Sequence, residues 1–326
     1  MHNPVIVTSE LAGTRVEDFL ERTWPDVDHR SWRQLVREGG VRVNSEKAQG
    51  RLRLRAGDSV ELKVSPASLR SFSAKPDEVI SPEVIHEEPG LLVVNKPAGI
   101  PTIPDRAGKY EGVLGMIREQ RPDEDLRVVH RLDRDTSGCL LLARDLDTAR
   151  SLDIAFRGGQ IEKTYLALAE GAERRERFEI NKALGPDLRR PGKIRVVAPD
   201  SRGARAAHTV VEVAERFVRH TLLRVFPRTG RSHQIRVHLR QVGCPIVADR
   251  DYGSGPEFFL SEIKHNYKIR QGIREKPLLT RMFLHAHKIV VPAMAGGEPV
   301  SVESPLPSDL ELVLAKLRHF SPFRTD

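Results

Sequence analysis

The sequence predicts an α+β fold divided into two domains. Its 326 residues exceed what one small domain usually needs. Helical spacing of apolar residues dominates the start of the chain, whereas many short apolar runs separated by turn residues dominate from residue 81 onward. The stretch between them is rich in Ser, Pro and Lys and has no apolar period, which is typical of a linker. We therefore expect a small domain over 1–66, a linker over 67–80 and a larger domain over 81–326.

The first domain is expected to contain two helices followed by short strands. "TRVEDFLERTW" repeats apolar residues at helical spacing, with Thr14 as a candidate N-cap. "HRSWRQLVREGG" reads as a second helix that ends at Gly39 and Gly40. "VRVN" alternates as a strand, and "AGDSVELKV" reads as a turn that enters another strand.

Arginines gather on and just after the second helix. Arg33, Arg37 and Arg42 fall near one another, and further basic residues follow up to position 55. Such a cluster can follow a phosphate backbone. The alternative is an ordinary solvated basic face.

The second domain is expected to be built on a mixed, largely antiparallel sheet. Its apolar runs are "LLVVNKPAG", "CLLLARD", "TYLALAEG", "HTVVEVAE", "HTLLRVFP" and "HKIVVP". Many strands with few helices between them favour that architecture over a parallel doubly wound sheet. No GxGxxG or P-loop motif is present, so nothing indicates a nucleotide cofactor.

Composition narrows the class of partner. The formal net charge of +8 indicates a polyanionic partner, nucleic acid first, and the alternative is a basic but unspecialised surface. The two cysteines, Cys139 and Cys244, form neither a disulfide framework nor a CxxC site. No apolar run is long enough for a transmembrane helix, and the N-terminus does not read as a signal peptide, so the default location is the cytoplasm.

The loop "HRLDRDTSG" (130–138) is the first stretch that can carry chemistry. It holds Arg131, Asp133, Arg134 and Asp135 between two apolar segments, whereas a structural loop usually relies on Gly, Asn, Ser and Pro. The charges therefore lie on the surface as local ion pairs or line a cleft. For Asp135 we expect a local ion pair with Arg134 or Arg144.

A short helix is predicted within "RTGRSHQIRVHLRQVGCP" (228–245). Ser232 is its candidate N-cap, and Gly243 its left-handed residue after the C-terminus. Arg236 lies on this helix, and Arg231 lies in the turn before it, where free backbone N–H groups suit an anion. The histidines of this stretch, His233 among them, read as hydrogen-bonding residues, since no carboxylate or Cys completes a metal site.

A third stretch, "EKTYLALAEG" (162–171), places Lys163 and Tyr165 two apart on a strand. They therefore point to the same face, where they could stack on a base and contact its phosphate. The alternative is an ordinary strand with a half-buried tyrosine.

Taken in order, these motifs resemble the RluA-type pseudouridine synthases. The series runs "LLVVNKPAGIPT", "VVHRLDRDTSGCLLLARD", "KTYLAL", "TGRSHQIRVHL…GCPIVAD…YG" and "LHAH", over about 83–292. Residues of about 14–64 are similar to the alpha-L RNA-binding domain, in the pattern of an apolar helix, a glycine, V-x-V-N and G-D. The resemblance implies an alpha-L domain followed by a synthase domain with a central cleft.

The resemblance also implies a reaction and the residues that perform it. The family isomerises uridine in RNA to pseudouridine, so no cofactor and no metal is expected. Asp133 would be the catalytic carboxylate, as a nucleophile at the anomeric carbon or as a base at the neighbouring 2′ carbon. Arg236 would keep it ionised, and Tyr165 would stack on the flipped uracil. The residues expected to contact RNA are Arg131, Lys163, Arg231 and His233 in the synthase domain, and Arg33, Arg37 and Arg42 in the alpha-L domain.

The sequence leaves the substrate open. Large-subunit ribosomal RNA is the favoured target and transfer RNA the second. Two other classes remain: a non-catalytic RNA-binding ribosome-assembly factor, and a base-removing glycosidase, which usually needs two carboxylates. Residues 254–280 form a longer, basic connection than the family often has, and a monomer is the default state.

Overall fold

A computed structural model describes residues 4–25, 27, 29–49, 52–64, 66, 81–104, 112–268, 275–293 and 298–323. The chain separates into two compact units, Met1–Ile80 and Ser81–Asp326. The proposed linker, 67–80, lies outside the described residues.

The N-terminal unit packs two helices on a four-stranded antiparallel sheet. The order of the strands in this sheet is β1, β4, β2, β3. The elements are β1 Val5–Ile6, a 3-10 turn Ser9–Leu11, α1 Val16–Thr23, α2 His29–Glu38, β2 Val41–Val43, β3 Glu46–Lys47 and β4 Ser59–Leu62. Phe19, Leu20 and Trp32 fill the core between the helices and the sheet.

The predicted helices and strands of this unit are present, but one cap is wrong. The N-cap of α1 is Arg15, not Thr14, and it makes no side-chain cap bond. The Thr14 hydroxyl instead donates to the carbonyl of Leu11 at 2.6 Å, because the preceding 3-10 turn offers it a nearer acceptor. Gly39 ends α2 as expected, with a φ of +75° that favours glycine.

The C-terminal unit is built on a ten-stranded sheet. Its strands are β5 Glu83–Glu88, β6 Leu91–Lys96, β7 Arg127–Val128, β8 Ser137–Ala143, β9 Glu162–Glu170, β10 Arg177–Asn181, β13 His208–Arg216, β14 His220–Pro227, β15 Leu284–Val291 and β16 Val300–Glu303. A separate hairpin pairs β11 Leu184–Pro186 with β12 Ile194–Val196. The helices are α3 Gly112–Gln120, α4 Leu146–Arg157, α5 Gln234–Gln241 and α6 Ser308–Phe320.

The large sheet is antiparallel except at one junction. The order is β10, β13, β14, β9, β15, β8, β6, β5, with β16 beside β15 and β7 beside β8. Only the pair β15 and β8 runs parallel within the described strands. There a Cβ added to Gly138 would lie 2.2 Å from the carbonyl oxygen of Ala286, so the close approach requires glycine.

Both faces of the central strands β6 and β8 are buried, which explains why these strands read as continuous apolar runs, whereas the edge strand β10 alternates buried and exposed residues. In β6, Leu92 and Val94 join the core on one face, while Leu91 and Val93 join the core on the other. The first core includes residues of α6 and α5, and the second includes Leu152 of α4. The sheet is therefore a rigid platform whose loops can be positioned accurately.

The 254–280 connection is largely irregular where the structure describes it. A 3-10 turn, Leu260–Glu262, is its regular element over residues 254–268 and 275–280. An isolated bridge between Phe258 and Leu279 closes the loop. Over the described parts of the chain, no helix combines the length and apolar character that a membrane span requires.

Candidate active site

The loop "HRLDRDTSG" is held at its middle by Thr102. The Thr102 hydroxyl donates to the carbonyl of Leu132 at 3.0 Å and accepts from the Leu132 N–H at 3.1 Å. The Thr136 N–H then donates to the carbonyl of Asp133 at 3.1 Å and closes a tight turn. Leu132 is buried in the core while the Asp133 side chain keeps 23% exposure. Asp133 is thus presented from a fixed backbone.

Lys96, in "NKPAG", also holds the backbone of the same loop. Its ammonium group is fully buried and donates to the carbonyls of Pro97, Arg134 and Thr136 at 2.8, 3.0 and 2.8 Å. Burial lowers the pKa of Lys96 to about 7, against the opposing attraction of Asp135 and Asp133. Lys96 thereby links the "NKPAG" segment to the backbone of the Asp133 loop.

The start of α5 differs by one residue from the start that the sequence predicts. Its N-cap is His233, not Ser232, and His233 takes a left-handed φ of +53°. Gln234 stabilises this turn, because its side-chain oxygen accepts from the Thr229 hydroxyl and the Arg231 N–H. Gly243 takes the left-handed position after the helix as predicted, with φ +81°.

Arg236 connects α5 to the Asp133 loop. Its Nη1 donates to Asp133 Oδ2 at 3.2 Å. Its Nε and Nη2 donate to the two oxygens of Asp249 at 2.7 Å each, and Nη2 also lies 3.2 Å from Asp251 Oδ2. The guanidinium carbon stands 4.9 Å from the centre of the Tyr252 ring. The predicted partner of Asp133, more than a hundred residues away in sequence, is in contact with it.

The charge of Arg236 is secured despite its burial. Burial alone would lower the pKa of the guanidinium, but the hydrogen bonds and charge of Asp249, and then of Asp133, raise it above its ordinary value. Asp249 is itself fully buried and accepts the backbone N–H groups of Asp251 and Tyr252. A bidentate, buried pair of this kind fixes the arginine in one orientation.

A pocket of about 450 Å³ opens between the Asp133 loop, β9 and the start of α5. Seven of the sequence-predicted site residues line it: Asp133, Tyr165, Arg236, Arg131, Lys163, Arg231 and His233. Arg33, Arg37 and Arg42 belong to the N-terminal unit, where all three side chains are exposed and Arg33 lies 3.8 Å from Glu17.

The side chains of β9 that face the pocket are desolvated. Burial, and then the charge of Asp133, raises the pKa of the Tyr165 phenol above its ordinary value, so Tyr165 is neutral. Burial lowers the pKa of Lys163 to about 8. The Lys163 ammonium lies 5.7 Å from the centre of the Phe156 ring. His130 is neutral as well, since burial, followed by the charge of Lys163, lowers its pKa to about 3.

Sequence reasoning missed the residues behind Arg236. Asp249, Asp251 and Tyr252 follow "GCPIV", and Lys193 lies 2.5 Å from Asp251. The available signal was that a buried arginine needs a carboxylate partner and that "ADRDY" supplies two. Of the two partners expected for Asp135, Arg134 or Arg144, the second pairs instead with Glu124 and Glu87, at 2.8 and 2.9 Å.

The described residues contain no group of three His, Cys, Asp or Glu side chains arranged to hold a metal ion.

Comparison with known proteins places this site in a family. The family model for RNA pseudouridylate synthase matches residues 90–241, which include both the Asp133 loop and α5. Ribosomal large subunit pseudouridine synthase C of Escherichia coli K12 is 33% identical over 326 residues, covering 97% of this chain and 96% of that protein. The chain belongs to the RluA-type family of RNA pseudouridine synthases.

Other relatives agree with this assignment. Pseudouridine synthase C of Vibrio vulnificus is 32% identical, with 96% of each chain covered. Human RNA pseudouridylate synthase domain containing 4 has a TM-score of 0.55 at 25% identity, over 72% of this chain and 93% of that one. Human RNA pseudouridylate synthase domain containing 1 has a TM-score of 0.54 at 26% identity, over 77% and 100%. This RluA-type synthase is therefore an enzyme that isomerises uridine in RNA.

Proposed function

We propose that this enzyme converts uridine to pseudouridine in large-subunit ribosomal RNA, with Asp133 as the reacting carboxylate and without a cofactor. The observation that carries the chemistry is the contact of Arg236 with Asp133 at 3.2 Å, inside a pocket that Tyr165 also lines. The choice of RNA is supported by the relatives named for the large ribosomal subunit, which match 96–97% of this chain.

Asp133 is suited to act on the sugar of the target nucleotide. One oxygen, Oδ2, is held by Arg236, and Oδ1 has no hydrogen-bond donor among the described residues. That free oxygen can attack the anomeric carbon or take a proton from the 2′ carbon. In both routes Arg236 orients the carboxylate and balances its negative charge.

Tyr165 and Arg131 would handle the base. A flipped uracil must leave its stack at a cost of a few kcal/mol, and the neutral, buried ring of Tyr165 offers it a new stacking surface. Arg131 is exposed at the mouth of the pocket. Its planar guanidinium can fill the gap that the base leaves, better than a lysine would.

Lys163 and the N-terminal unit would hold the RNA backbone. Lys163 makes no ion pair with any described residue, so a phosphate is a suitable partner for its ammonium group. His233 and Arg231 line the same pocket. We infer that the N-terminal unit is an alpha-L domain whose exposed Arg33, Arg37 and Arg42 follow the phosphates of the structured RNA around the target.

The comparison with known proteins also bears on the cellular location of the enzyme. The bacterial relatives named for ribosomal RNA favour a cytoplasmic location.

Tritium release tests the proposal. The protein is incubated with RNA whose uridines carry tritium at the ring carbon that rejoins the sugar, in large-subunit ribosomal RNA, small-subunit ribosomal RNA and transfer RNA in parallel. We expect release from large-subunit RNA, with no free uracil. Release from transfer RNA alone would overturn the choice of substrate. Free uracil would indicate a glycosidase, and binding without release from any RNA would indicate an assembly factor.

A further inference from the structure

Arg236 contacts three carboxylates, and two of them lie at the same distance from its guanidinium. Asp249 holds the guanidinium by two bonds of 2.7 Å. Asp133 and Asp251 each contact it once, at 3.2 Å, through different terminal nitrogens. Asp249 limits how far the guanidinium can move, but a stronger attraction to Asp251 would still tilt it enough to lengthen the single 3.2 Å bond to Asp133.

Lys193 meets Asp251 at the oxygen that Arg236 also contacts. Lys193 Nζ lies 2.5 Å from Asp251 Oδ2, and both side chains are partly exposed, by 31% and 23%. Burial disfavours the charge of Asp251, yet Lys193 and Arg236 together lower its pKa below the ordinary value. Lys193 thus satisfies a carboxylate that would otherwise depend on Arg236 alone.

The position of Lys193 is fixed by its backbone. Its carbonyl accepts from the Asp187 N–H at 2.9 Å and its N–H donates to the Arg190 carbonyl at 3.0 Å. The next residue, Ile194, donates its N–H to the Tyr252 hydroxyl at 2.9 Å. The start of β12 is therefore attached to the loop that carries Asp249, Asp251 and Tyr252, and the lysine is not a freely moving surface charge.

The charge count shows what Lys193 contributes. Asp133, Asp249 and Asp251 carry three negative charges, and Arg236 and Lys193 supply two positive ones. The cluster therefore has one excess negative charge, and without Lys193 it would have two. Asp251 would then compete more strongly with Asp133, the proposed reacting group, for the guanidinium of Arg236.

We propose that Lys193 is a positioning residue for the isomerisation: by pairing with Asp251 it leaves the guanidinium of Arg236 on Asp133. This inference rests on the proposed role of Asp133. It adds a residue from a different element, the β11–β12 hairpin, to the machinery around the carboxylate.

Other charged and titratable groups face the same carboxylates and must be held constant in any test. Arg236, His233, Lys96 and Tyr165 act on Asp133. Lys193, Arg236, Tyr252 and His233 lie around Asp251. Replacing Lys193 with an uncharged side chain of similar length removes the charge of Lys193 and leaves the other groups in place.

The experiment compares Lys193→Met with Arg195→Met and with Lys193→Met/Asp251→Asn. Arg195 is an exposed arginine on the same hairpin, so it controls for the loss of one positive charge near the RNA. Single-turnover rates and RNA affinities are measured from pH 5 to pH 9. The double variant removes both the lysine and the carboxylate that it neutralises.

We expect Lys193→Met to lower the single-turnover rate roughly threefold to tenfold, with RNA affinity close to that of Arg195→Met. The double variant should regain most of the rate, since Asp251 no longer competes. A Lys193→Met profile that matches Arg195→Met, or a double variant no faster than Lys193→Met, would overturn the proposal. A wild-type enzyme that releases no tritium would instead overturn the proposed function.

Discussion

Asp249→Asn should destabilise the C-terminal unit although it changes one atom. The carboxylate is fully buried and accepts four hydrogen bonds. Oδ1 accepts Arg236 Nη2 and the N–H groups of Asp251 and Tyr252, while Oδ2 accepts Arg236 Nε. The asparagine oxygen can replace Oδ1, but its NH2 group would then face the Nε–H of Arg236, and two donors would meet.

The cost follows from the burial of Arg236. Removing one partner of a buried ion pair costs about 3–5 kcal/mol, because the other charge is left uncompensated. Arg236 keeps its contacts with Asp133 and Asp251, so we expect the lower end, about 3 kcal/mol. For a domain of this size that corresponds to a fall in Tm of roughly 6–12 °C.

Urea and thermal unfolding of the whole protein measure this cost, with Asp251→Asn as the matched control. Asp251 is partly exposed and makes one longer bond to Arg236, so its replacement should cost less than about 1 kcal/mol. An Asp249→Asn protein within about 0.5 kcal/mol of the wild type would refute the buried-pair argument. So would a larger cost for Asp251→Asn than for Asp249→Asn.

Two further predictions concern pH and salt. His130, His220 and His285 are buried, which lowers their pKa values to about 3, 4 and 4, whereas the unfolded chain binds these protons near 6.5. The contribution of these three histidines to the free energy of unfolding should therefore be constant above about pH 7.5 and fall below pH 6.5, by up to about 1.4 kcal/mol per pH unit for each histidine. Urea unfolding that shows no fall between pH 6.5 and pH 5 would contradict this expectation. Replacing Arg33, Arg37 and Arg42 together by Gln should reduce the slope of log affinity against log salt by roughly two to three, measured by filter binding. An unchanged slope would remove the N-terminal unit from the RNA interface.

The local elements were predictable because short-range patterns determine them. The helices α1, α2 and α5 and the apolar strands follow from the spacing of residues such as Ile235 and Leu239, both of which are buried. The helix starts were not predictable from residue type. Thr14 found another acceptor, and His233 adopts a left-handed conformation that few residues other than glycine take.

The site was predictable only in part. Asp133 and Arg236 each have a recognisable local motif, but their contact spans 103 positions and was expected from family resemblance, not from spacing. The layer behind them, Asp249, Asp251 and Lys193, consists of contacts between loops and a hairpin. No period in the sequence encodes such contacts, and the burial of Arg236 that demands them is visible only in the fold.

The most direct test of the central claim is the comparison of Asp133→Asn with Asp135→Asn on large-subunit ribosomal RNA. Both variants lose one carboxylate from the same loop, but only Asp133 lines the pocket and contacts Arg236. Tritium release and RNA affinity are measured for both. Asp133→Asn should bind RNA and release no tritium, while Asp135→Asn should release it at close to the wild-type rate. Release by Asp133→Asn at a rate near that of the wild type would contradict the account.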